Sequence, residues 1–554
     1  MIFKKNKTFE KFRKYIKISN KTKIKNALRK TYKYYLLNLS KKNKNEIIST
    51  TKILKQLNKR NINFDFENNI NYFNQNQNYK KCQSILQAVH TNDTEIVQLF
   101  LIQAEKDNVL LSINDKDSNN DNPLIIAINN NNTEILKLLI EYAERHNITL
   151  ELNRKCMNDI YPILMSAFQN NVEMTNILIK YAYKHNIILN LNEKDIIGNT
   201  PLLLATFNNN VKIVKSLISY AEKHDIILDL NEKGNDNNNP LLFSIIGNNI
   251  EMTRLLMEYA DKHNIILEWN NIDENKCPIS YATINDNIEM MELLIEYAEK
   301  HNIVLELNKK SKNGTYPVLL AAINNNLEMI YLFIEYAEHH HFILNIQEKE
   351  NNGNNTLLVA INNNNIEMVK LLIEYTSYYN IVLDLNELNN TSYNPFFISI
   401  LNNNIEITKL LIEYADKHDM VLDLNAREQN GNYPFLLATN NNNIEMAKLL
   451  IDYAKYHNII LDLNQKNSSG NYPLLFATSR CNIDMIKLIM AYADENNIIL
   501  KVNDKNNQGF NPLMHAYMCG SEEMDKLMLD YGEKHQSEFE GVEYLFDIFY
   551  TVKF

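Results

Sequence analysis

NEKDIIGNTPLLLATFNNNVKIVKSLISYAEKHDIILDL, residues 192–230, is the stretch that decides the fold, because almost all of the chain consists of copies of it. Its proline, Pro201, has a counterpart about every 39 residues, and these positions account for all ten prolines of the 554-residue chain. One step is 38 residues, from Pro240 to Pro278, and Thr356 replaces the proline in one copy. A period in this range predicts a solenoid of stacked repeats.

Each copy predicts two helices. PLLLATF predicts a short first helix, since proline fits the first helical position, where its missing N–H removes no hydrogen bond. The NNN run predicts the end of this helix, because asparagine is the best substitute for glycine in a left-handed position. The last asparagine is a good N-cap for a second helix with apolar residues at i, i+3, i+4 and i+7. IILDLN then alternates apolar and polar residues, which predicts a short extended return segment.

Charged residues on the second helices stand four positions apart, with the acidic residue first. The predicted pairs are Glu141 with Arg145, Glu258 with Lys262, Glu296 with Lys300 and Glu413 with Lys417. An i,i+4 pair in this order stabilises a helix by about 0.2–0.5 kcal/mol, so we expect these pairs to form within each helix.

One tyrosine recurs near the end of the second helix, and a histidine often follows it. We expect the tyrosine rings to lie in the core with their hydroxyls in water. Histidines of adjacent copies would lie about 10 Å apart, whereas zinc needs ligands about 2.0–2.1 Å from one ion, so we predict no metal site. The tyrosine positions are Tyr142, Tyr181, Tyr220, Tyr259, Tyr297, Tyr336, Tyr375, Tyr414, Tyr453, Tyr492 and Tyr531.

NEKDIIGNTPLLLA followed by IVKSLISYA resembles the ankyrin repeat, with its D-x-x-G-x-T-P-L finger, first helix and second helix. The resemblance covers twelve copies, from Ser84 to about His535. Each copy has about six residues more than the usual 33, of the KHNIIL type, and these lengthen the second helix and its return. The resemblance implies an all-α fold, an α-solenoid of stacked ankyrin-type helix-turn-helix repeats with short extended fingers.

The chain is predicted to have three parts. Residues 1–78 form a basic helical N-terminal region with a degenerate repeat or cap, residues 79–535 form twelve ankyrin-like repeats, and residues 536–554 form an apolar C-terminal cap. Residues 1–60 contain 20 Lys/Arg and two Glu, a net charge of +18. The remaining residues contain 37 basic and 65 acidic side chains, a net charge of −28, so a basic arm precedes an acidic array.

The resemblance places the side chain six residues after the proline in a concave groove that grips partners. This position is apolar in five consecutive copies, and a contiguous apolar patch indicates a binding site. The extra residues of each copy could instead cover this position, and the sequence leaves both interpretations open. The candidate residues are Phe168, Phe207, Ile246, Ile284 and Ile323, with the neighbouring finger residues Ile196, Ile197, Asp236, Asp273, Glu274 and Lys276.

The sequence therefore predicts a non-enzymatic protein–protein interaction scaffold that binds a partner protein along the groove. The acidic surround favours a basic partner. No nucleotide-binding, metalloprotease or serine-hydrolase motif is present, and identical groups recurring along the chain do not converge as a reaction centre requires. We therefore expect no catalytic residues, no metal and no cofactor.

Residues 1–60 provide an alternative function, an adaptor tethered to nucleic acid or to an anionic membrane. Phe9, Phe12 and Ile16 stand at helical spacing among lysines, as such a tether requires. The competing interpretation is that this arm packs on the acidic solenoid or stays solvated. A third function, the regulatory subunit of an enzyme complex, is supported by no docking motif.

The compartment is predicted from what the sequence lacks. Its five cysteines match no zinc or disulfide pattern, which fits a reducing compartment. No apolar run approaches 18 residues, and the N-terminus has no apolar signal region. We expect an intracellular monomer, cytoplasmic or nuclear.

Overall fold

The computed structural model describes residues 81–117, 119–234, 237–269 and 277–535. The predicted N-terminal region and C-terminal cap lie outside these ranges, as do four candidate finger residues, Asp236, Asp273, Glu274 and Lys276. The described chain divides between Leu305 and Glu306 into two compact bodies, the first body and the second body.

The first body contains six helix pairs, each made of a short first helix and a longer second helix. Within it the first helices contact one another in chain order, and the second helices do the same. The pairs are α1 (Lys81–His90) and α2 (Thr94–Lys106), α3 (Pro123–Asn129) and α4 (Thr133–Arg145), α5 (Pro162–Phe168) and α6 (Val172–Lys184), α7 (Pro201–Phe207) and α8 (Val211–Lys223), α9 (Pro240–Ile246) and α10 (Ile250–Lys262), α11 (Pro278–Ile284) and α12 (Ile288–Lys300).

The second body repeats this arrangement, which brings the described residues to 24 α-helices and no strand. A single turn of 3-10 helix, Met157–Asp159, lies in a finger of the first body. The prediction of an all-α solenoid is confirmed. The second-body pairs are α13 (Pro317–Asn324) and α14 (Leu327–His339), α15 (Thr356–Asn362) and α16 (Ile366–Tyr378), α17 (Pro395–Leu401) and α18 (Ile405–Lys417), α19 (Pro434–Asn440) and α20 (Ile444–Tyr456), α21 (Pro473–Ser479) and α22 (Ile483–Glu495), α23 (Pro512–Cys519) and α24 (Glu522–Lys534).

The asparagine run between the two helices turns the chain and caps the second helix, as the sequence predicted, and it also bonds the preceding repeat, which was not predicted. Asn208 follows α7 and donates its Nδ2 to the carbonyl of Ala167 in the preceding repeat, at 3.0 Å. Asn209 adopts the left-handed conformation with φ 58°. Asn210 caps α8 by accepting a backbone N–H, and its Nδ2 donates to Asn170 of the preceding repeat at 2.6 Å. The run therefore joins neighbouring repeats as well as turning the chain.

The prediction for the tyrosines was half right. All eleven rings are buried, with 5% exposure or less. Within each body the hydroxyls bond the backbone of the preceding return segment and not water: the Tyr220 hydroxyl accepts from the Leu189 N–H at 3.3 Å and donates to the Ile187 carbonyl at 2.6 Å. Burial raises the pKa of Tyr375 to about 12, so this phenol stays neutral at physiological pH.

Three of the four predicted i,i+4 ion pairs are replaced by pairs between repeats. Arg145 lies 2.6 Å from Glu105, and Lys262 and Lys300 pair with Glu222 and Asp261, each in the preceding repeat. The lengthened second helices stand side by side, so the basic end of one helix reaches the acidic side chain of its neighbour. These pairs are exposed, and each is worth about 0–1 kcal/mol.

The expectation that the cysteines match no disulfide pattern is wrong for one pair. Cys481 and Cys519 form a disulfide, with their Cα atoms 5.8 Å apart. Their separation of 38 residues is one less than the repeat, so stacking brings the two adjacent interhelical turns together. Cys156 and Cys277 are not part of a disulfide.

Candidate functional site

The five apolar side chains six residues after the proline are only partly open to solvent. Phe168, Phe207 and Ile284 are half-buried, whereas Ile246 is 9% exposed and Ile323 is 5% exposed. The first four belong to the first body, at the ends of first helices that contact one another in order (α5, α7, α9 and α11), and Ile323 belongs to the second body. The first body thus carries an uninterrupted apolar row of four repeats.

Phe243 belongs to the same row, although sequence reasoning missed it. Its ring stands edge-on to the ring of Phe207, with centroids 5.3 Å apart, and it is half-buried. Edge-to-face pairs at this distance are favourable. Phe243 lies three residues after Pro240 and one turn before Ile246, so helical spacing from the chosen position could have found it.

One buried carboxylate, that of Asp195, fixes the turn of the finger that precedes α7. Asp195 accepts the backbone N–H groups of Ile197 at 3.0 Å and Asn199 at 2.8 Å, which closes the turn. The N–H of Ile196 donates to the carbonyl of Asn158 in the preceding finger at 3.2 Å. Ile196 is consequently 55% exposed at the fingertip, while Ile197 is half-buried. The finger presents one apolar side chain to solvent at its tip.

Fingers of the second body stack through their backbones in the same way. The N–H of Ser468 donates to the carbonyl of Asn430 at 2.8 Å, and the N–H of Asn507 donates to Ser469 at 3.1 Å. Gly470 has φ 78°, and a Cβ there would lie 2.8 Å from the nitrogen of Asn507. Glycine is needed at this fingertip for both its conformation and the closeness of the next finger.

A second apolar column was not predicted. The middle aliphatic residue of each IIL return segment points outward, with exposures from 47% to 63%. The sequence could have predicted this exposure. In the IILDL pattern the two leucines on either side of the polar residue are buried, so alternation turns the aliphatic residue before the first leucine to solvent. The column contains Leu110, Ile188, Ile227, Ile266 and Val304 in the first body, and Ile343, Val382, Val421, Ile460 and Ile499 in the second.

The stacked helix pairs and fingers agree with the comparisons to known proteins. A family model described as ankyrin repeats (3 copies) matches residues 85–187, 301–383 and 457–538, and one described as ankyrin repeat matches residues 197–228. Together these matches cover more than half of the chain. This chain is an ankyrin-repeat protein.

Among solved structures, an ankyrin repeat domain from Acinetobacter baumannii AYE is similar to this ankyrin-repeat protein. The sequence identity is 23%, the match covers 39% of this chain and 98% of that domain, and the TM-score is 0.30. The comparison with curated proteins gives no match.

Ankyrin repeats are generally protein–protein interaction modules, and proteins built from them are typically non-enzymatic. Within the described ranges of this ankyrin-repeat protein, no helix combines the length and apolar character needed to cross a membrane.

Proposed function

We propose that this ankyrin-repeat protein binds a partner protein along the apolar row of its first body, formed by Phe168, Phe207, Ile246 and Ile284. The observation that supports this most is the half-exposed aromatic pair of Phe207 and Phe243 at the centre of the row. Aromatic side chains in contiguous apolar patches carry much of the binding energy in protein interfaces. Ile323 is the corresponding residue of the second body.

Charge favours a basic partner. Residues 81–305 contain 31 acidic and 18 basic side chains, so the surroundings of the row are negative. Such a surface speeds encounter with a positively charged protein and disfavours acidic competitors. The apolar row supplies affinity, and the acidic surround supplies selectivity. Four finger residues stay predicted partner-binding candidates: Asp236, Asp273, Glu274 and Lys276.

Proximity labelling in the native cell, with the full chain carrying the labelling enzyme, tests the proposal. Phe207→Ser removes the half-buried ring from the row, and we expect it to reduce the recovery of the partner about tenfold. Leu401→Ser is the matched control, because Leu401 occupies the same position but has Asn362 and Asn440 in the adjacent repeats. Equal recovery of the partner with both variants, each with an unchanged melting temperature, would refute binding along the apolar row.

The adaptor function through residues 1–60 stays a prediction that lies outside the described residues. Its test is salt-dependent binding of the full chain to a duplex oligonucleotide or to anionic vesicles, since binding through many lysines weakens steeply with salt. The monomeric state likewise stays a prediction.

A further inference from the structure

Three consecutive return segments of the second body present the same two outward side chains, an aliphatic residue and, two residues later, an aspartate. The aliphatic side chains are 57%, 54% and 61% exposed in chain order. Large aliphatic side chains this exposed, repeated in register, form a patch that indicates an interaction surface. We call this surface the aliphatic–acidic stripe, and its residues are Val382, Asp384, Val421, Asp423, Ile460 and Asp462.

Part of the stripe's backbone is already hydrogen-bonded within the protein. The carbonyl of Val421 accepts from Nδ2 of Asn386 at 2.8 Å, and the N–H of Asp423 donates to Oδ1 of the same asparagine at 3.1 Å. The N–H of Leu422 donates to the hydroxyl of Tyr453 at 3.0 Å. These three groups are not available to an added strand, which favours a partner that binds through side chains.

The aspartates give the stripe a negative edge of defined length. Within the described residues, no ion pair involves Asp384 or Asp423, while Asp462 lies 2.5 Å from Arg427. The corresponding residue is Asn345 in the repeat before and Lys501 in the repeat after. The acidic edge therefore spans three repeats, or about 20 Å between its ends for a spacing of about 10 Å per repeat.

The spacing between neighbouring repeats matches the rise of an α-helix over seven residues. Seven helical residues rise about 10.5 Å, so a helix that presents an aliphatic side chain once per heptad would meet Val382, Val421 and Ile460 in turn. Lysine or arginine beside that row would face the aspartates. A second copy of this chain fits poorly, because it would place aspartate against aspartate.

We propose that the aliphatic–acidic stripe is a second docking surface, which takes a basic amphipathic helix of another protein. The aliphatic residues of this surface are among those that lengthen each repeat, and the surface shares no residue with the apolar row of the first body.

Fluorescence anisotropy with the full chain tests this proposal. The probe is a labelled 21-residue helical peptide with leucines at heptad positions a and d and lysines beside them. Its controls are a peptide of the same composition in scrambled order and one with glutamate in place of lysine. We expect the heptad peptide to bind about tenfold more tightly than the scrambled one, with affinity falling as salt rises.

Single substitutions locate the site. Val421→Ser should weaken binding about fivefold, and Asp423→Asn should weaken it and reduce its dependence on salt. Ile499→Ser is the matched control, since Ile499 is 61% exposed in the same column but precedes Lys501, and it should have little effect. Lys501→Asp should extend the acidic edge and strengthen binding. Phe207→Ser should leave peptide binding unchanged, which separates this surface from the groove.

Three results would overturn the proposal. The first is equal affinity for the heptad and scrambled peptides. The second is equal loss from Val421→Ser and Ile499→Ser, with circular dichroism melts showing that both variants are folded. The third is a carbodiimide cross-link in the free full chain between Asp384 or Asp423 and a lysine of residues 1–60, because that would make the chain's own arm the occupant.

Discussion

The hydroxyl oxygen of Tyr259 lies 3.1 Å from the backbone nitrogen of Leu228, a residue of the preceding repeat. The same hydroxyl donates to the carbonyl of Ile226 at 3.3 Å. One buried phenol thus satisfies a donor and an acceptor of a return segment that forms no sheet. This relationship recurs along both bodies and explains why tyrosine, and not phenylalanine, occupies the position.

Tyr259→Phe should destabilise the protein by about 1–3 kcal/mol, because it leaves the Leu228 N–H buried without a partner. Urea-induced unfolding measures the change. Tyr378→Phe is the control, since Tyr378 is 75% exposed, and it should have almost no effect. Equal changes in the two variants would show that the hydroxyl bond contributes nothing.

Asn425→Ala should loosen one return segment without affecting the one before it. Asn425 donates to the carbonyl of Ile460 at 2.9 Å and accepts the N–H of Asp462 at 3.0 Å, so the substitution should cost about 1–2 kcal/mol. Hydrogen exchange should accelerate at the Asp462 amide. The Asp423 amide, which Asn386 holds at 3.1 Å, is the internal control and should not change. Unchanged exchange at Asp462 would contradict the assignment.

Asp121→Asn should stabilise the protein at neutral pH and not at pH 4. Burial, reinforced by the nearby Asp117 carboxylate, raises the pKa of Asp121 from 3.8 to about 6. Because the folded pKa exceeds the unfolded one, the charged carboxylate opposes folding: the cost is absent below about pH 3.8, grows up to pH 6 and is constant above. Asparagine occupies this position in other fingers, where Asn199 donates to Asp195 at 3.0 Å.

Urea midpoints measured from pH 4 to pH 8 check the Asp121 prediction. The difference between the variant and the native chain should open between pH 4 and pH 6 and then stay level. Asp115→Asn, an exposed neighbour in the same finger, provides the control and should give no such step. A difference that is constant across the range would point to a lost contact and not to titration.

Reduction of the Cys481–Cys519 disulfide should loosen the last described repeat. The bond joins residues 38 apart, and closing such a loop is worth about 4 kcal/mol in the chain-entropy account. Dithiothreitol should therefore speed hydrogen exchange in α24. A variant with Cys481→Asn and Cys519→Asn should exchange alike with and without reductant. Asparagine is found at these two positions elsewhere in the chain, as Asn442 one repeat before Cys481 and as Asn441 two repeats before Cys519. An equal rate of hydrogen exchange in α24 of the native chain with and without dithiothreitol would contradict the prediction.

The helix boundaries could be predicted closely because their signals are local. Pro201 begins α7 and Asn210 caps α8, as the sequence indicated, and the left-handed φ of Asn209 follows from its place in the run. The first repeat is the exception, since α1 already includes Lys81, three residues before the predicted start at Ser84. It has no proline to fix its start.

The candidate groove was predicted only in outline. The candidate residues six positions after the proline lie at the ends of the first helices, but their exposure varies from half-buried at Phe207 to 5% at Ile323. Exposure depends on the residue that the next repeat places beside each side chain. The contact of Phe243 with Phe207 was missed because it lies between two stacked repeats. The two residues are 36 positions apart in the chain.

The sequence by itself determined that this protein is a stack of ankyrin-type helix pairs, since proline, asparagine caps and apolar periodicity act within a few residues of one another. Only the tertiary structure decided which side chains meet between repeats: Lys262 with Glu222 and not Glu258, Cys481 with Cys519, and the Tyr259 hydroxyl with the return segment before it. Those partners lie about one repeat apart, and the relative placement of two stacked helix pairs selects one neighbour from several that the spacing allows.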